Sequence, residues 1–450
     1  MKVVVIGSGP AGYVAAIRAA QLGGEVTVVE KDSIGGVCVN RGCIPTKALS
    51  SITSTIKKLR QLKKKGILNE DLSINVEKVF ANRDVIVGRL TKGVEYLLRK
   101  SNVQLVRGEA RIVSKEFVDV GGVKLRYDKL IIATGSLPAQ LKIPGIEYVN
   151  AVSGDNFITM NEVPQRLLIV GGGPIGVELA QIYRTLGSDV SVVEIMPHIL
   201  PNLDSEVALT LQKILSREGV RIYTNTSVHR FEKTSDGVEA YLSNNVRLAA
   251  DTVVLAVGRR PNTVNLGVEV LGVELGKRGE ILTNDSMMTN VPNVYAAGDV
   301  VGRNFLAYTA FEEGVVAAEN ALGLNSKVNY SAIPIAIFTD PEVASVGMSE
   351  DEARKLGDVL VGKFPLVANG RALTLDSYEG FIKIVANKKG KLLGMHMVGP
   401  EASELIHIAS LVLSRNGDVA ELLNTLYVHP TISEGIKEAA LAILKKPIHI

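Results

Sequence analysis

The chain has 450 residues, 46% hydrophobic but only 5% aromatic, with 43 glycines and no tryptophan. That length divides into two to four domains, and that balance favours an Ala/Val/Ile/Leu/Gly-rich α/β protein over a β-sandwich. Fifty basic residues oppose 47 acidic ones for a net charge of +3, with no basic block to track a phosphate backbone or an anionic bilayer, so no nucleic acid and no membrane partner is expected.

Lys2 to Ile6 reads as a strand, followed by the turn Gly7-Ser8-Gly9-Pro10-Ala11-Gly12, an amphipathic helix from Tyr13 to Leu22, and a second strand from Glu25 to Val29 that ends at Glu30. This opening is too short and too glycine-punctuated for a signal peptide, and no segment approaches the roughly 18 apolar residues of a membrane helix, so a cytoplasmic location is expected. The only two cysteines follow in the run Gly35 to Lys47. Ser50 to Leu98 reads as long helices and Val103 to Lys129 as β-rich. Leu130 to Gly135 closes that region with a buried strand and a glycine turn, and the two prolines of Pro138 to Gly145 mark a linker.

The opening pattern then returns. Arg166 to Val170 leads into Gly171-Gly172-Gly173-Pro174-Ile175-Gly176, a helix through Leu186, and a strand from Asp189 to Val193 that ends at Glu194. The copies are offset by 164 residues, and each acidic residue lies 23 positions after its first glycine. Matched spacing of this kind predicts two dinucleotide sites of one design. Thr252 to Val257 reads as the closing strand of the second unit and meets Gly258. From about Ser331 onward, strands and helices alternate without a glycine fingerprint, as in a separate α+β module. The expected fold class is α/β, with two Rossmann-like dinucleotide-binding domains plus a C-terminal α+β dimerisation domain. The expected domains are 1–142 and 143–265 for the two nucleotides, 266–330 returning to the first site, and 331–450 for the interface.

In such a turn the first glycine permits the tight bend, the second admits a pyrophosphate, and the third lets helix and strand pack closely. Pro10 and Pro174 suit the first helical turn, where no N–H is needed. Glu30 and Glu194 are placed to accept hydrogen bonds from ribose hydroxyls. After Glu194 comes Ile195-Met196-Pro197-His198, with no arginine or lysine for a 2′-phosphate, which predicts NAD rather than NADP at the second site.

Cys38 and Cys43 sit five positions apart in CVNRGC. A bridge over so short a loop constrains the unfolded chain by only about 2 kcal/mol, so the pair reads as redox chemistry or metal binding rather than structure. In a regular helix these positions are too far apart for a disulfide, and Gly42 and Pro45 predict a segment irregular enough to close one. A zinc site lacks a second cysteine pair, and no histidine lies within 100 residues of the first, so no metal is expected.

The run GGVCVNRGCIPTKAL closely resembles the active-site segment of the class I pyridine nucleotide-disulfide oxidoreductase family. Further matching segments, in family order, are Ala133-Thr134-Gly135, Gly258 to Asn262, Tyr295 to Val300, Phe338 to Glu342, Phe364 to Ala372 and His429 to Glu434. The resemblance implies FAD at the first site and NAD at the second. Cys43 would be the thiol beside the flavin and Cys38 the thiol that exchanges with substrate. Lys47 would lie against the reactive flavin edge, Asp299 would hold the ribityl and pyrophosphate region, and Glu178 would stand near nicotinamide and flavin. The same resemblance brings Lys31, Gly36, Val37 and Ala110 to the cofactors. It likewise brings Val228, Arg260, Gly298, Leu306, Ala307 and Tyr308. His429, oriented by Glu434, would be the acid/base for the substrate thiol and would reach the disulfide of the other subunit, so a homodimer is implied. Two positions depart from the pattern: Tyr427 and Tyr308 stand where the family commonly carries histidines. His198, His229, His396, His407 and His449 have no comparable support and read as structural.

Among family activities, oxidation of protein-bound dihydrolipoamide with NAD reduction is the expectation. No lipoyl-type domain precedes Met1, so the lipoyl-bearing protein would be another chain, such as the acyltransferase of a 2-oxo acid dehydrogenase complex or a glycine-cleavage carrier. The alternative is a related reductase of glutathione-like or coenzyme A disulfides. Relatives that use an extra C-terminal cysteine pair are disfavoured, because the sequence ends KKPIHI. A flavoprotein scaffold with a vestigial cysteine pair is disfavoured by the presence of both cysteines, Lys47, His429 and Glu434.

Overall fold

A computed structural model describes residues 1–70, 73–149 and 151–449. Asp71 and Leu72, inside the predicted helical stretch, and Ile450, at the end of the terminal run, lie outside the described residues.

The first unit comprises β1 (Lys2–Ile6), α1 (Pro10–Gln21), β2 (Glu25–Glu30), α2 (Gly36–Arg41), α3 (Cys43–Lys64), α4 (Val76–Lys100) and β3 (Gln104–Arg107). An antiparallel meander of β4 (Ala110–Ile112), β5 (Phe117–Val120) and β6 (Val123–Arg126) precedes β7 (Lys129–Ile132) and β8 (Ser136–Pro138). Helix α1 starts at Pro10, three residues before the predicted Tyr13, because proline at the first helical position needs no N–H partner. Pro138, expected in a linker, instead ends a strand. Its two-stranded sheet has room for a residue without a ladder donor, since both partners are edges.

The second unit repeats the plan: β9 (Ala151–Ser153), α5 (Gly154–Phe157), β10 (Arg166–Val170), α6 (Pro174–Leu186), β11 (Asp189–Val193), α7 (Ser205–Arg217) and β12 (Arg221–Tyr223). A meander of β13 (Val228–Thr234), β14 (Gly237–Leu242) and β15 (Arg247–Ala250) leads to β16 (Thr252–Leu255) and then β17 (Arg259–Pro261), which pairs with β8. Strand β16 stops at Leu255, short of the predicted Val257. The five parallel strands run in the order β12-β11-β10-β16-β9.

The chain then returns to the first unit. Strand β18 (Val294–Ala296) adds beside β7, giving the parallel order β18-β7-β1-β2-β3, and helix α8 (Ala307–Ala321) packs on α1. Strands covered on both faces read as continuous apolar runs, and Val3 to Ile6 and Leu130 to Ile132 are all buried accordingly. Each contributes about 1.5–3 kcal/mol on burial.

The C-terminal module contains β19 (Ile335–Ile337), β20 (Glu342–Gly347), α9 (Glu350–Leu356), β21 (Val359–Pro365), α10 (Gly370–Thr374), β22 (Phe381–Asn387), β23 (Leu392–Gly399), α11 (Ala402–Ser414), α12 (Val419–Asn424) and α13 (Glu434–Ile443). Its sheet is antiparallel in the order β19-β20-β23-β22-β21, with α11 and α13 packed on it. Among the described residues no helix is long and apolar enough to cross a membrane.

Candidate active site

The two glycine turns show which glycines the protein needs for itself. Gly7 and Gly171 have φ of +99° and +110°, and a Cβ on either would lie 2.3 Å from the carbonyl oxygen of Ala133 or Ala256. A Cβ on Gly12 or Gly176 would lie 1.9 or 2.0 Å from the carbonyl oxygen of Gly7 or Gly171, so these third glycines let helix meet strand. The middle glycines differ. A Cβ on Gly9 would meet only Gly36 Cα at 3.9 Å, and one on Gly173 nothing within 4 Å. Packing does not require glycine there, and the open space at the head of each helix fits the phosphates of a dinucleotide.

The acidic partners match as closely. Glu30 accepts from the Ser8 N–H at 2.8 Å and the Asp32 N–H at 2.8 Å, and Glu194 from the Gly172 N–H at 2.7 Å and the Met196 N–H at 2.8 Å. Each carboxylate thus braces its own turn, and its oxygens retain acceptor capacity for ribose hydroxyls.

A cleft of about 420 Å³ runs from Glu30 past the first turn to the cysteines. Of the predicted residues, Gly7, Gly9, Pro10, Ala11, Glu30, Lys31, Gly36, Val37, Cys38, Cys43 and Lys47 line it. So do Ala110, Ala133, Thr134, Gly135, Pro174, Ile175, Glu178, Gly298, Asp299, Leu306 and Ala307. Gly12 lies behind its turn, while Gly171, Gly173, Gly176, Glu194 and Gly258 belong to the second unit, outside the cleft. Val228, Tyr308 and Arg260 are not among the lining residues. Val228 is a core residue of β13, in one cluster with Val193 and Leu242. Tyr308 points its hydroxyl at the Pro334 carbonyl oxygen. Arg260 stands on β17 opposite Leu137 of β8, and its neighbour Arg259 lines the cleft.

Sequence reasoning missed the network that Arg259 builds. Its guanidinium holds both oxygens of Asp155, at 2.6 and 2.8 Å, and its Nε donates to Ser136 Oγ at 2.7 Å. The Ser136 hydroxyl in turn donates to Asp299. Burial pushes the Asp299 carboxyl above its ordinary pKa, against the pull of Ser136 and Arg259. Arg259 was visible within the run Gly258 to Asn262, but its partners Ser136 and Asp155 lie more than 100 residues earlier in the chain.

The thiols sit at a helix break. Helix α2 carries Cys38 and ends at Arg41, Gly42 adopts φ −137° and ψ −105°, and α3 starts afresh at Cys43. Gly42 supplies the predicted irregularity. Pro45 does not: it lies in the first turn of α3, where a missing N–H leaves no partner unsatisfied. The sulfurs share a hydrogen bond. Because Cys38 donates it, the Cys43 thiol is held below its ordinary pKa; burial opposes this and the Lys47 ammonium assists. Cys38 is pushed up, by that same bond and by burial. Position at the start of a 22-residue helix further favours a thiolate at Cys43.

Lys47 stands one turn along α3. Its Nζ lies 2.9 and 3.1 Å from the oxygens of Glu178 on α6 and 4.6 Å from the centroid of the Phe338 ring. Glu178 also accepts the Phe338 N–H at 2.8 Å. Both nucleotide units and the C-terminal module therefore converge on the thiols.

His429 is not among them. Its side chain is 80% exposed on the C-terminal module, flanked by the exposed Leu426 and Val428. Its Nδ1 lies 2.8 Å from Glu434 Oε1, while the other Glu434 oxygen accepts the Thr431 N–H at 2.8 Å. The ring is thus oriented, with Nε2 facing outward. Tyr427 is half-buried and points at the Leu422 carbonyl oxygen. His449, read as structural, forms a second pair of the same kind, 2.8 Å from Glu438 on the same helix α13. The partner lies eleven residues upstream, too far for the sequence to signal it.

Residues 1–314 match the family described as pyridine nucleotide-disulphide oxidoreductase, and residues 333–440 match its dimerisation domain. A dihydrolipoyl dehydrogenase of Thermus scotoductus is 45% identical, over 99% of this chain and 98% of that protein. The dihydrolipoyl dehydrogenase of Geobacillus stearothermophilus is 40% identical over 100% and 97%. Among solved structures, LpdA of Mycobacterium tuberculosis superposes with a TM-score of 0.89 at 28% identity, over 98% of this chain and 99% of that one.

Proposed function

The chain belongs to the pyridine nucleotide-disulphide oxidoreductase family, and from that premise we propose that it oxidises protein-bound dihydrolipoamide to lipoamide and reduces NAD. It is an FAD- and NAD-dependent disulfide oxidoreductase. One observation carries the reading furthest: two dinucleotide turns of a single design meet, through Lys47 and Glu178, at a thiol pair whose two members are driven to opposite acidities.

That asymmetry suits a defined direction of exchange. In the oxidised enzyme a substrate thiolate attacks the Cys38 sulfur, the Cys38–Cys43 bond breaks, and Cys43 leaves as the thiolate. A low-pKa leaving group speeds this step, and Cys43 is the thiol held low. The second substrate thiolate then attacks the sulfur now bonded to Cys38. The lipoyl disulfide closes, and Cys38 takes up a proton, as its raised pKa favours. Two electrons have passed from substrate to the cysteine pair. Bound FAD supplies the two-electron acceptor that couples thiol to hydride chemistry and so delivers the pair to NAD. Gly7, Gly9 and Glu30 would hold the flavin nucleotide, with Lys47 beside its redox end. Gly171, Gly173 and Glu194 would hold NAD.

The substrate thiols need a base. His429 with its outward Nε2, braced by Glu434, supplies one on a module that matches the family's dimerisation domain. In the homodimer, the partner subunit's His429 serves this chain's thiols. The exposure of Leu426, Val428 and the His429 ring in a single chain supports a buried place for them between subunits. The dihydrolipoamide the enzyme oxidises is borne by a lipoyl-bearing protein. The enzyme works in the cytoplasm, where NAD and reduced thiols are maintained.

Steady-state rates with lipoamide, glutathione disulfide and coenzyme A disulfide, each with NADH and NADPH, test the reading. Lipoamide with NADH is expected to lead by about a hundredfold. A faster rate with either other disulfide would reassign the substrate.

A further inference from the structure

Away from the cleft, a buried cluster of charge joins the second nucleotide unit to the C-terminal module. Lys383 on β22 has a side chain only 2% exposed, and its Nζ lies 2.7 Å from Oδ1 of Asp204, which is 1% exposed. Glu350 and Glu206 stand 3.1 and 3.2 Å from the same ammonium. Desolvation largely offsets the attraction within such a cluster, so it contributes little net stability; the best-attested use of buried ion pairs is to select one arrangement of the parts they join.

The part joined here is the loop that leaves β11. It starts at Glu194 and ends at Asp204, which caps α7 through the N–H groups of Glu206 and Val207, at 3.2 and 3.4 Å, and accepts the Glu350 N–H at 3.1 Å. Midway, the Leu200 N–H donates to the Gly172 carbonyl oxygen at 2.8 Å, and Ile199 lies so close that a Cβ on Gly172 would meet its Cγ2 at 3.0 Å. Glu194 grips the same turn through the Gly172 N–H. Next to it, Ile195 and Met196 are 70% and 45% exposed, an apolar surface beside the carboxylate that faces a ribose.

We propose that Lys383 is a positioning residue for the pyridine nucleotide. By holding Asp204 it fixes the 194–204 loop against the glycine turn, and with it the Glu194 carboxylate and the Ile195–Met196 surface on which the adenosine half of NAD is received. This rests on the second unit being the NAD site. Lys383 touches no reacting atom, so its effect falls on nucleotide affinity and leaves the chemical step alone.

The test compares the flavin-loaded holoenzyme with Lys383→Met and Asp204→Asn. The second variant keeps a capping side chain but loses the charge that Lys383 holds, and it remains informative if the first, with Asp204 unpaired, does not fold. Both are expected to raise the KM for NADH, and the Kd for NAD⁺ measured calorimetrically, by about tenfold. Flavin content, the KM for lipoamide and kcat at saturating NADH should stay at wild-type values. Unchanged KM and Kd in a flavin-loaded variant overturn the proposal, as does a fall in kcat alone. If NADH fails to reduce the wild-type flavin, the NAD reading itself falls.

Discussion

An alanine at position 9 adds one methyl group where the protein has no use for the space. Gly9 sits at φ −67° and ψ −173°, a conformation alanine adopts freely, and the new carbon would come no nearer than 3.9 Å to Gly36 Cα. Gly9→Ala should therefore stabilise the apoprotein by about 0.4–1 kcal/mol, through the reduced freedom of its unfolded chain. The same methyl group stands where the flavin pyrophosphate is proposed to lie. Overpacking a close contact costs about 1–3 kcal/mol, which lowers FAD affinity roughly fivefold to 150-fold. Gly12→Ala is the control of opposite kind. Its Cβ would lie 1.9 Å from the Gly7 carbonyl oxygen, so the apoprotein itself should lose about 1–3 kcal/mol. Urea unfolding of flavin-stripped protein and fluorescence titration with FAD read the two effects separately. Wild-type FAD affinity in Gly9→Ala would refute the cradle, and early unfolding of its apoprotein would place Gly9 in the packing instead.

Other consequences follow from the thiols and the second site. The Lys47 ammonium helps hold Cys43 low, so Lys47→Met should move the thiolate absorbance of the reduced enzyme to higher pH; an unmoved titration would separate Lys47 from the thiol. Because the folded pKa of Cys43 is depressed, its contribution to stability is present above the pKa of an unfolded thiol and is lost as pH falls through the folded value. Urea midpoints of the reduced enzyme should show this loss, and a smaller one in Lys47→Met. His429→Gln should lower kcat for dihydrolipoamide by about 10²–10⁴. Since that ring is exposed in the single chain, the same variant should shift the stability of each subunit by no more than about 0.5 kcal/mol, and near-normal turnover would remove His429 from the mechanism. NADH should exceed NADPH in kcat/KM by about a hundredfold, with Glu194→Gln narrowing the gap; equal rates would contradict the reading of Glu194.

What could be read in the sequence was local. The glycine turns, their acidic partners and the break at Gly42 depend on spacing and on residue types with few conformational options. Hence the doubled unit, both nucleotide turns and the clustering of Cys38, Cys43 and Lys47 were legible from short windows. Register was not. The contact of Arg259 with Ser136 is set by the pairing of β17 with β8, more than 100 residues earlier in the chain. The Arg259–Asp155 pair likewise spans 104 residues of the chain, and the Lys383–Asp204 pair joins residues from different units. His449 is a further case: its carboxylate partner lies on α13, brought close by the fold of the terminal segment rather than by sequence proximity.

The central claim is that electrons pass through the Cys38–Cys43 pair on their way between substrate and nicotinamide. One equivalent of NADH, added anaerobically to the oxidised enzyme and followed by alkylation and mass mapping, tests it directly. The account predicts two new labels per chain, on Cys38 and Cys43, both abolished when lipoamide is added before the alkylating agent. A bleached flavin with the disulfide still intact would contradict it.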